Sequence, residues 1–375
     1  MAVDTADLAV WSRARRALFA PVSVIFAVLV MVCAAGVRIP EPVQYIPFAV
    51  SLVVLGLPHG ALDHVVLSRV AQRLPDARAM ASVSLLYLAV GGAVVLLWFV
   101  APPVAFIVFI LMTWFHWGQG DLHVEAMRAV EAVPSRLTRA GMLTVRGALP
   151  MIVPLIAFPQ VYLGVFRDTT GVIATPLVDA TPFFKSSEVR MLIAGALLFV
   201  TVLTFIGTAR GRWASVSGRR AWWGDLGEVL LLAAFFTTVP PVLAVGLYFC
   251  LWHSLRHIVR LSLLDPGSRT PANTLSFDPT LRSGSTLRSG STLHFGTALR
   301  RFALQSAPIT AIALGLLVVL FLVVPQAGLS NGALLGLYLV LISALTLPHV
   351  VVVSIMDARQ DVWARRSRVD LVSAR

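Results

Sequence analysis

The 375-residue chain is poor in charge, in cysteine and in lysine. Charged residues make up only 13% of it against 58% hydrophobic residues, and the mean hydropathy is +0.84. This composition excludes an ordinary soluble domain and indicates a membrane protein. The two cysteines, Cys33 and Cys250, both fall in apolar segments, so no disulfide framework is expected. Apart from Lys185, the cations are arginines, mostly beside apolar runs, where membrane topology explains them without nucleic-acid binding.

Long apolar windows predict an all-α bundle of about ten transmembrane helices, since about twenty apolar residues cross a bilayer. They belong to a single polytopic domain, 1–375. The expected spans are 17–37, 43–68, 80–101, 103–121, 142–161, 189–209, 224–239, 241–262, 303–325 and 331–356. Proline pairs at 102–103 and 240–241 divide two of these helices from their neighbours. The arginines then concentrate on one side, which predicts cytoplasmic N- and C-termini in a cell-membrane protein.

The longest segment between predicted spans, 263–302, contains the hexapeptide TLRSGS twice, starting at Thr280 and at Thr286. A segment rich in Gly, Ser and Arg, with few apolar residues, cannot bury a core. The sequence therefore predicts a flexible cytoplasmic loop here.

Histidines are the polar residues that stand out inside the apolar spans. His253 and His257 are four residues apart, so a helix presents both rings on one face, where they can bind one metal ion. His59 and His116 lie in two other predicted spans that cross the membrane in the same direction. At about 1.5 Å per residue, all four histidines fall in the inner half of the bilayer. A metal centre inside a helix bundle needs ligands at one level, so these four predict such a site.

Three further residues near these histidines are expected to support the ligands. Asp63 follows His59 by four residues and is expected to orient its ring through a hydrogen bond, with direct binding of the metal as the alternative. His64 lies away from the face of His59 and is expected to support or pack, not to bind the metal. His349 reaches the same level on the last span, and interhelical hydrogen bonding, ligation and support of a ligand all remain open for it.

Charged and aromatic residues complete the predicted surroundings. Arg256 either extends towards the cytoplasm or pairs with Asp63 or with Asp121. Aromatic residues crowd around His116 and His253, and some are expected to line an apolar substrate cavity. They are Trp114, Phe115, Trp117, Tyr248 and Trp252. Ordinary packing in the core or at the membrane interface is the alternative for each of them.

Four ordered motifs resemble those of the Brp/Blh-type β-carotene 15,15′-dioxygenase family. They are PHGALDH at 58–64, FHWGQGD at 115–121, WHSLRH at 252–257 and LPHV at 347–350. The resemblance implies an integral membrane enzyme that splits the central double bond of β-carotene with O2 and releases two molecules of retinal, which typically supply microbial rhodopsins. It also implies iron(II) held by four histidines. These carry over to His59, His116, His253 and His257.

Three other classes of protein also use histidines within a membrane. A di-iron desaturase or hydroxylase generally requires histidine boxes with adjacent HH pairs, whereas this chain has eight histidines in total and no HH. An ion- or proton-coupled transporter, with Asp63 in its relay, predicts sites staggered across the membrane instead of one layer. A haem protein leaves the HxxxH spacing unexplained.

Overall fold

The computed structural model describes residues 11–71, 73, 76–128, 135–173, 181–263, 290–324, 330–360 and 362. Within them the protein is all-helical, as predicted from the sequence. The helices are α1 (Trp11–Ala34), α2 (Glu41–Val53), α3 (Asp63–Val70), α4 (Ala77–Val100), α5 (Pro102–Arg128), α6 (Arg136–Ala157), α7 (Pro159–Gly171), α8 (Thr181–Lys185), α9 (Ser187–Arg212), α10 (Val216–Thr238), α11, α12 (Gly290–Val323) and α13 (Asn331–Arg359). Helix α11 consists of Pro241–Leu247, a π-helical turn at Tyr248–Ser254, and Leu255–Leu263.

Eight of these helices are long and apolar enough to cross a membrane: α1, α4, α5, α6, α9, α11, α12 and α13. Their outward surfaces carry exposed large apolar side chains, among them Leu88, Leu192 and Val323. A soluble protein rarely exposes so much apolar surface, and lipid covers it in a membrane protein.

The predicted count of about ten spans is approximate, because eight of the described helices are long and apolar enough to cross a membrane. Helix α10, with the charged Asp225 and Glu228, and the interrupted segment at 43–68 occupy the other two predicted positions.

Proline and serine residues determine where several helices begin. Pro102 begins α5 directly after α4, and Pro241 begins α11 directly after α10, because proline tolerates the first helical turn but not the interior. The predicted division of both pairs is confirmed. Ser135 caps α6 by accepting a hydrogen bond from the N–H group of Thr138, and Ser330 caps α13 by accepting one from the N–H group of Ala333.

The predicted continuous span 43–68 is wrong, because the chain breaks between α2 and α3. The carbonyl of Ser51 accepts from the N–H groups of Gly56 (2.8 Å) and Leu57 (3.1 Å), and a short 3-10 turn follows at Pro58–Gly60. Gly56 leaves no room for a side chain, since a Cβ there would lie 2.7 Å from the ring of Phe249. The apex of this turn, rather than a helix face, carries His59.

Some of the predicted topology lies outside the described residues. This applies to both chain ends, 1–10 and 363–375, and to residues 264–289 of the predicted loop. From residue 290 onward the chain is helical and forms the start of α12. Residues 290–302 of the predicted loop thus belong to this helix, and the prediction of a flexible cytoplasmic loop stays a prediction.

Candidate metal centre

Five histidines from four separate parts of the chain meet in one buried cluster. The turn before α3 contributes His59, α5 contributes His116, α11 contributes His253 and His257, and α13 contributes His349. The ring centroids of the pairs in contact lie between 4.8 and 6.5 Å apart. The structure thus brings together the four histidines that were predicted to lie at one level of the bundle, and His349 with them. These five residues form the histidine cluster.

The HxxxH pair presents both of its rings to the cluster. The rings of His253 and His257 are almost parallel, at 8° to one another, with centroids 6.5 Å apart. His253 approaches α5 so closely that its Nε2 lies 3.1 Å from Nε2 of His116. Two imidazole nitrogens that face each other at this distance are placed to share one metal ion or one proton.

The backbone of the turn orients His59. Its Nδ1 makes a short contact with the carbonyl oxygen of Gly56. A carbonyl only accepts, so Nδ1 carries the proton and Nε2 keeps its lone pair for a metal. The tight turn that Gly56 permits therefore also fixes the tautomer of His59.

Asp63 supports a histidine, but not the one predicted. Its Oδ2 accepts a hydrogen bond from Nδ1 of His349 at 2.7 Å and another from the hydroxyl of Tyr87 at 2.6 Å. The expected partner was His59, on the assumption of a continuous helix through 43–68. Because the chain turns between the two residues, Asp63 faces α13 instead. Tyr87, at the start of the π-helical turn of α4, was not identified from the sequence.

His64 stands apart from the cluster contacts. Its Nδ1 lies 3.0 Å from the carbonyl oxygen of Ala61, and its side chain is half-buried. It shares a cavity wall with His59 and His349. The predicted role of His64, which is to pack or to support without binding the metal, stays a prediction.

The histidine cluster fits a metal ion. One ligand atom from each of His59, His116 and His349 lies within 4.8 Å of the other two. Nε2 of His257 and Nε2 of His349 are buried without a hydrogen-bond partner among the described residues. An unsatisfied buried polar atom costs about 1–3 kcal/mol, and coordination of a metal removes that cost for a lone pair. Imidazole donors suit iron, zinc, copper and nickel alike.

Arg256 pairs with Asp121, one of the two carboxylates predicted for it. Its Nη1 donates to Oδ1 of Asp121 at 3.0 Å, and its guanidinium lies over the ring of Trp252, 3.8 Å from the centroid. The indole N–H of Trp252 also donates to Asp121, at 3.2 Å. These contacts lie next to the cluster, since Asp121 and Arg256 border the same small cavity as His253 and His257.

The Arg256–Asp121 pair belongs to a larger buried ion network that connects α5, α6, α9, α10 and α11. Its members are Asp121, Glu125, Arg146, Arg212, Asp225, Glu228 and Arg256, joined by N–O distances of 2.5–3.2 Å. A buried charge is tolerated only when it is paired and hydrogen-bonded. Sequence reasoning treated Arg146 and Arg212 as topological cations and missed the network. Acidic residues inside the predicted span 224–239 were the available signal.

A large apolar cavity of about 520 Å³ reaches the histidine cluster from the outer surface of the bundle. His59, Asp63 and His349 form its inner end, and α4 and α12 form its sides. Several of its lining residues are exposed on the membrane-facing surface: Leu88, Gly92, Ile312 and Leu316. An apolar molecule dissolved in lipid thus has a direct route to the histidines.

A second, smaller cavity of about 70 Å³ lies on another side of His59. Aromatic residues line it together with His116: Phe48, Phe109, Trp117, Phe249 and Tyr338. Both cavities border His59, and the side chains of Ile342 and Thr346 contribute to both walls. The two spaces therefore share wall residues beside the cluster.

Of the aromatic residues predicted to line a substrate cavity, Trp117 borders the smaller cavity. Neither cavity is lined by Trp114, Phe115, Tyr248 or Trp252. Neighbouring residues of a helix point in different directions, so crowding in the sequence does not place them on one wall. Trp114 instead donates to the carbonyl of Thr144 on α6 at 2.8 Å.

The fold and the site define an integral membrane protein with a histidine centre buried between its helices. A family model described as Beta-carotene 15,15'-dioxygenase matches residues 50–357. The chain belongs to this family and is an enzyme. The dioxygenase chemistry of the family and the buried histidine group of this chain together indicate a metal cofactor.

Individual relatives cover most of the chain. A Halobacterium salinarum protein named Probable beta-carotene 15,15'-dioxygenase Blh is 39% identical over 358 residues, which are 94% of this chain and 96% of the relative. The Probable beta-carotene 15,15'-dioxygenase Brp of the same species is 29% identical over 341 residues, 88% of each chain. A Beta-carotene 15,15'-dioxygenase from uncultured marine bacterium 66A03 is 25% identical over 210 residues, 56% of this chain and 66% of the relative. No solved structure matches the chain.

Proposed function

We propose that this protein cleaves the central 15,15′ double bond of β-carotene with O2 and releases two molecules of all-trans-retinal. Each oxygen atom of O2 ends in one of the two aldehyde groups, so the reaction balances without an external reductant. The observation that supports this best is the direct opening of a lipid-facing apolar cavity of about 520 Å³ onto a buried, all-histidine cluster.

The proposed cofactor is iron(II), held by His59, His116, His253 and His257. Bound there, iron supplies the centre that activates O2, which the protein's own side chains cannot do. Neutral imidazoles donate their lone pairs without adding charge to an apolar site. The carbonyl of Gly56 keeps Nδ1 of His59 protonated, which leaves Nε2 for the metal.

The apolar walls have the task of binding and aligning the polyene. The large cavity accepts a long hydrocarbon from the membrane, and its wall carries few polar groups that would retain water. Because the large cavity ends at His59, a polyene that enters it from the membrane can bring its central bond to the cluster. Positioning of this kind converts an encounter between substrate and oxidant into an intramolecular reaction.

The reaction and the composition also suggest a location and a consumer of the product. Substrate and protein share the lipid bilayer, and we place the enzyme in the cell membrane with several membrane crossings. Retinal released there is available to a microbial rhodopsin, which binds retinal as its chromophore. Cells that express the enzyme together with a microbial rhodopsin test this link. The rhodopsin purified from them should carry bound retinal.

Expression in carotene-producing cells tests the proposed activity. The expected result is loss of the orange pigment and accumulation of retinal. The variant His116→Ala should abolish retinal formation and remove iron, whereas His123→Ala changes a histidine on the same helix outside the cluster and should preserve both. Unchanged carotene in cells with well-expressed, iron-containing protein contradicts the proposed function.

A further inference from the structure

His349 occupies a place in the cluster equivalent to that of the four histidines assigned to the metal. Its ring centroid lies 4.8 Å from that of His116, 5.0 Å from that of His59 and 5.2 Å from that of His257. Its ligand atom is also one of the three that lie within 4.8 Å of each other, a group that includes neither member of the HxxxH pair. By position alone, His349 is as well placed to bind the metal as any of them.

An interhelical hydrogen bond explains only one of the two ring nitrogens of His349. Nδ1 donates to Oδ2 of Asp63 at 2.7 Å, and this bond connects α13 to α3. Nε2 is buried and has no partner among the described residues. The carboxylate fixes the proton on Nδ1, so Nε2 holds a lone pair inside a cluster of other imidazoles.

Asp63 is in turn held by a second group. The Tyr87 hydroxyl donates to the same Oδ2 at 2.6 Å, from the π-helical turn of α4. A carboxylate that accepts from a histidine and is itself hydrogen-bonded is the usual support of a metal-binding imidazole. Tyr87, Asp63 and His349 thus form a chain of hydrogen bonds that ends at an unsatisfied nitrogen in the cluster.

We propose that His349 is a fifth imidazole ligand of the metal, with Asp63 and Tyr87 as its positioning residues. The proposal rests on the proposed function only in requiring that the cluster binds iron. It extends the ligand set from the turn, α5 and α11 to α13, and through Asp63 and Tyr87 it connects the metal to α4, one side wall of the large cavity. Residues of α13 such as Ile342 and Thr346, which border both cavities, then belong to a helix anchored at the metal.

Counting the imidazoles bound to iron tests this proposal directly. The full-length protein is purified in detergent, loaded with iron(II) alone, and examined by X-ray absorption and by pulsed EPR of its nitric oxide complex. The wild-type protein should show five imidazoles. His349→Ala should show one fewer and should release iron more readily to a chelator.

Two further variants distinguish ligation from support. Asp63→Asn keeps the ring of His349 and should keep the imidazole count while weakening iron binding about 10–100-fold, as loss of a supporting carboxylate usually does. His123→Ala removes a histidine of α5 outside the cluster and should change neither quantity.

The possible results separate this proposal from the proposed function. Four imidazoles in the wild-type protein, or an unchanged count in His349→Ala, overturn the role of His349 and leave carotene cleavage standing. A wild-type protein that binds no iron under conditions that preserve its helical content overturns both.

Discussion

Nδ1 of His349 lies 2.7 Å from Oδ2 of Asp63, although 286 positions separate the two residues in the sequence. The bond joins the last described helix to the segment directly after the break at 54–62. It also places a carboxylate beside the histidine cluster without placing it among the rings. Contacts with this carboxylate should therefore control how firmly the cluster holds its metal.

Replacing Asp63 by Asn should lower the affinity for iron about 10–100-fold and lower retinal formation at limiting iron. The amide cannot accept as strongly from both Nδ1 of His349 and the hydroxyl of Tyr87. Competition with a coloured chelator measures the affinity. Asp76→Asn is the matched control, because Asp76 caps α4 at an exposed site and Asn caps equally well. Equal iron affinity in Asp63→Asn and wild type would show that the bond has no bearing on the metal.

Removal of the metal should abolish cleavage, and iron(II) should restore it. Zinc should occupy the same imidazoles without restoring activity, because zinc has no redox chemistry to offer O2. Iron measured per chain should be close to one. A value near two would favour a di-iron enzyme, and full activity of the zinc-loaded protein would rule out an oxidative role for the metal.

A bulky side chain at the mouth of the large cavity should slow cleavage without affecting iron. Gly92 is exposed, lines this cavity, and has no atom within 4 Å of the place where a Cβ would lie. A Cβ at position 92 therefore has open space, and the ring of Gly92→Phe should narrow the entrance, so the rate with β-carotene should fall several-fold. Gly195→Phe makes the same change on α9, at a glycine with equal space and outside both cavities. If the two variants cleave at the same rate, the substrate enters elsewhere.

Loss of Asp225 should destabilise the protein strongly. This fully buried carboxylate pairs with Arg146 at 3.2 Å and with Arg212 at 2.5 Å. Asp225→Ala leaves both guanidinium groups with fewer partners in the core, and breaking a buried ion pair in this way costs about 3–5 kcal/mol. Thermal unfolding in detergent measures the change. Glu188→Ala, at the exposed start of α9, should shift the midpoint little, and an equal shift in both variants would refute a stabilising role for the network.

Several features of the fold and site could be predicted from local sequence patterns. Apolar length predicted the helices, proline pairs predicted the divisions between α4 and α5 and between α10 and α11, and the spacing of His253 and His257 predicted a shared face. Each of these depends on residues close together in the chain. Such relations survive folding because helix geometry alone determines them.

Other features depend on contacts between distant segments and were missed for that reason. Gly56 breaks the predicted span 43–68 where its backbone meets Phe249 of α11. That break then moves Asp63 away from His59 and towards His349, against the i, i+4 expectation. Pairing of Arg146 with Asp225 likewise joins α6 to α10, and no local pattern specifies which partner a buried arginine selects.

The most direct test of carotene cleavage at the histidine cluster is the stoichiometry of the purified enzyme. Iron-loaded protein is incubated with β-carotene and 18O-labelled O2, and carotene consumed and retinal formed are measured together. Cleavage of the central bond at the cluster should give two molecules of retinal per carotene, both labelled, and none with the His116→Ala variant. Products of unequal length, or retinal formation undiminished in His116→Ala, would contradict it.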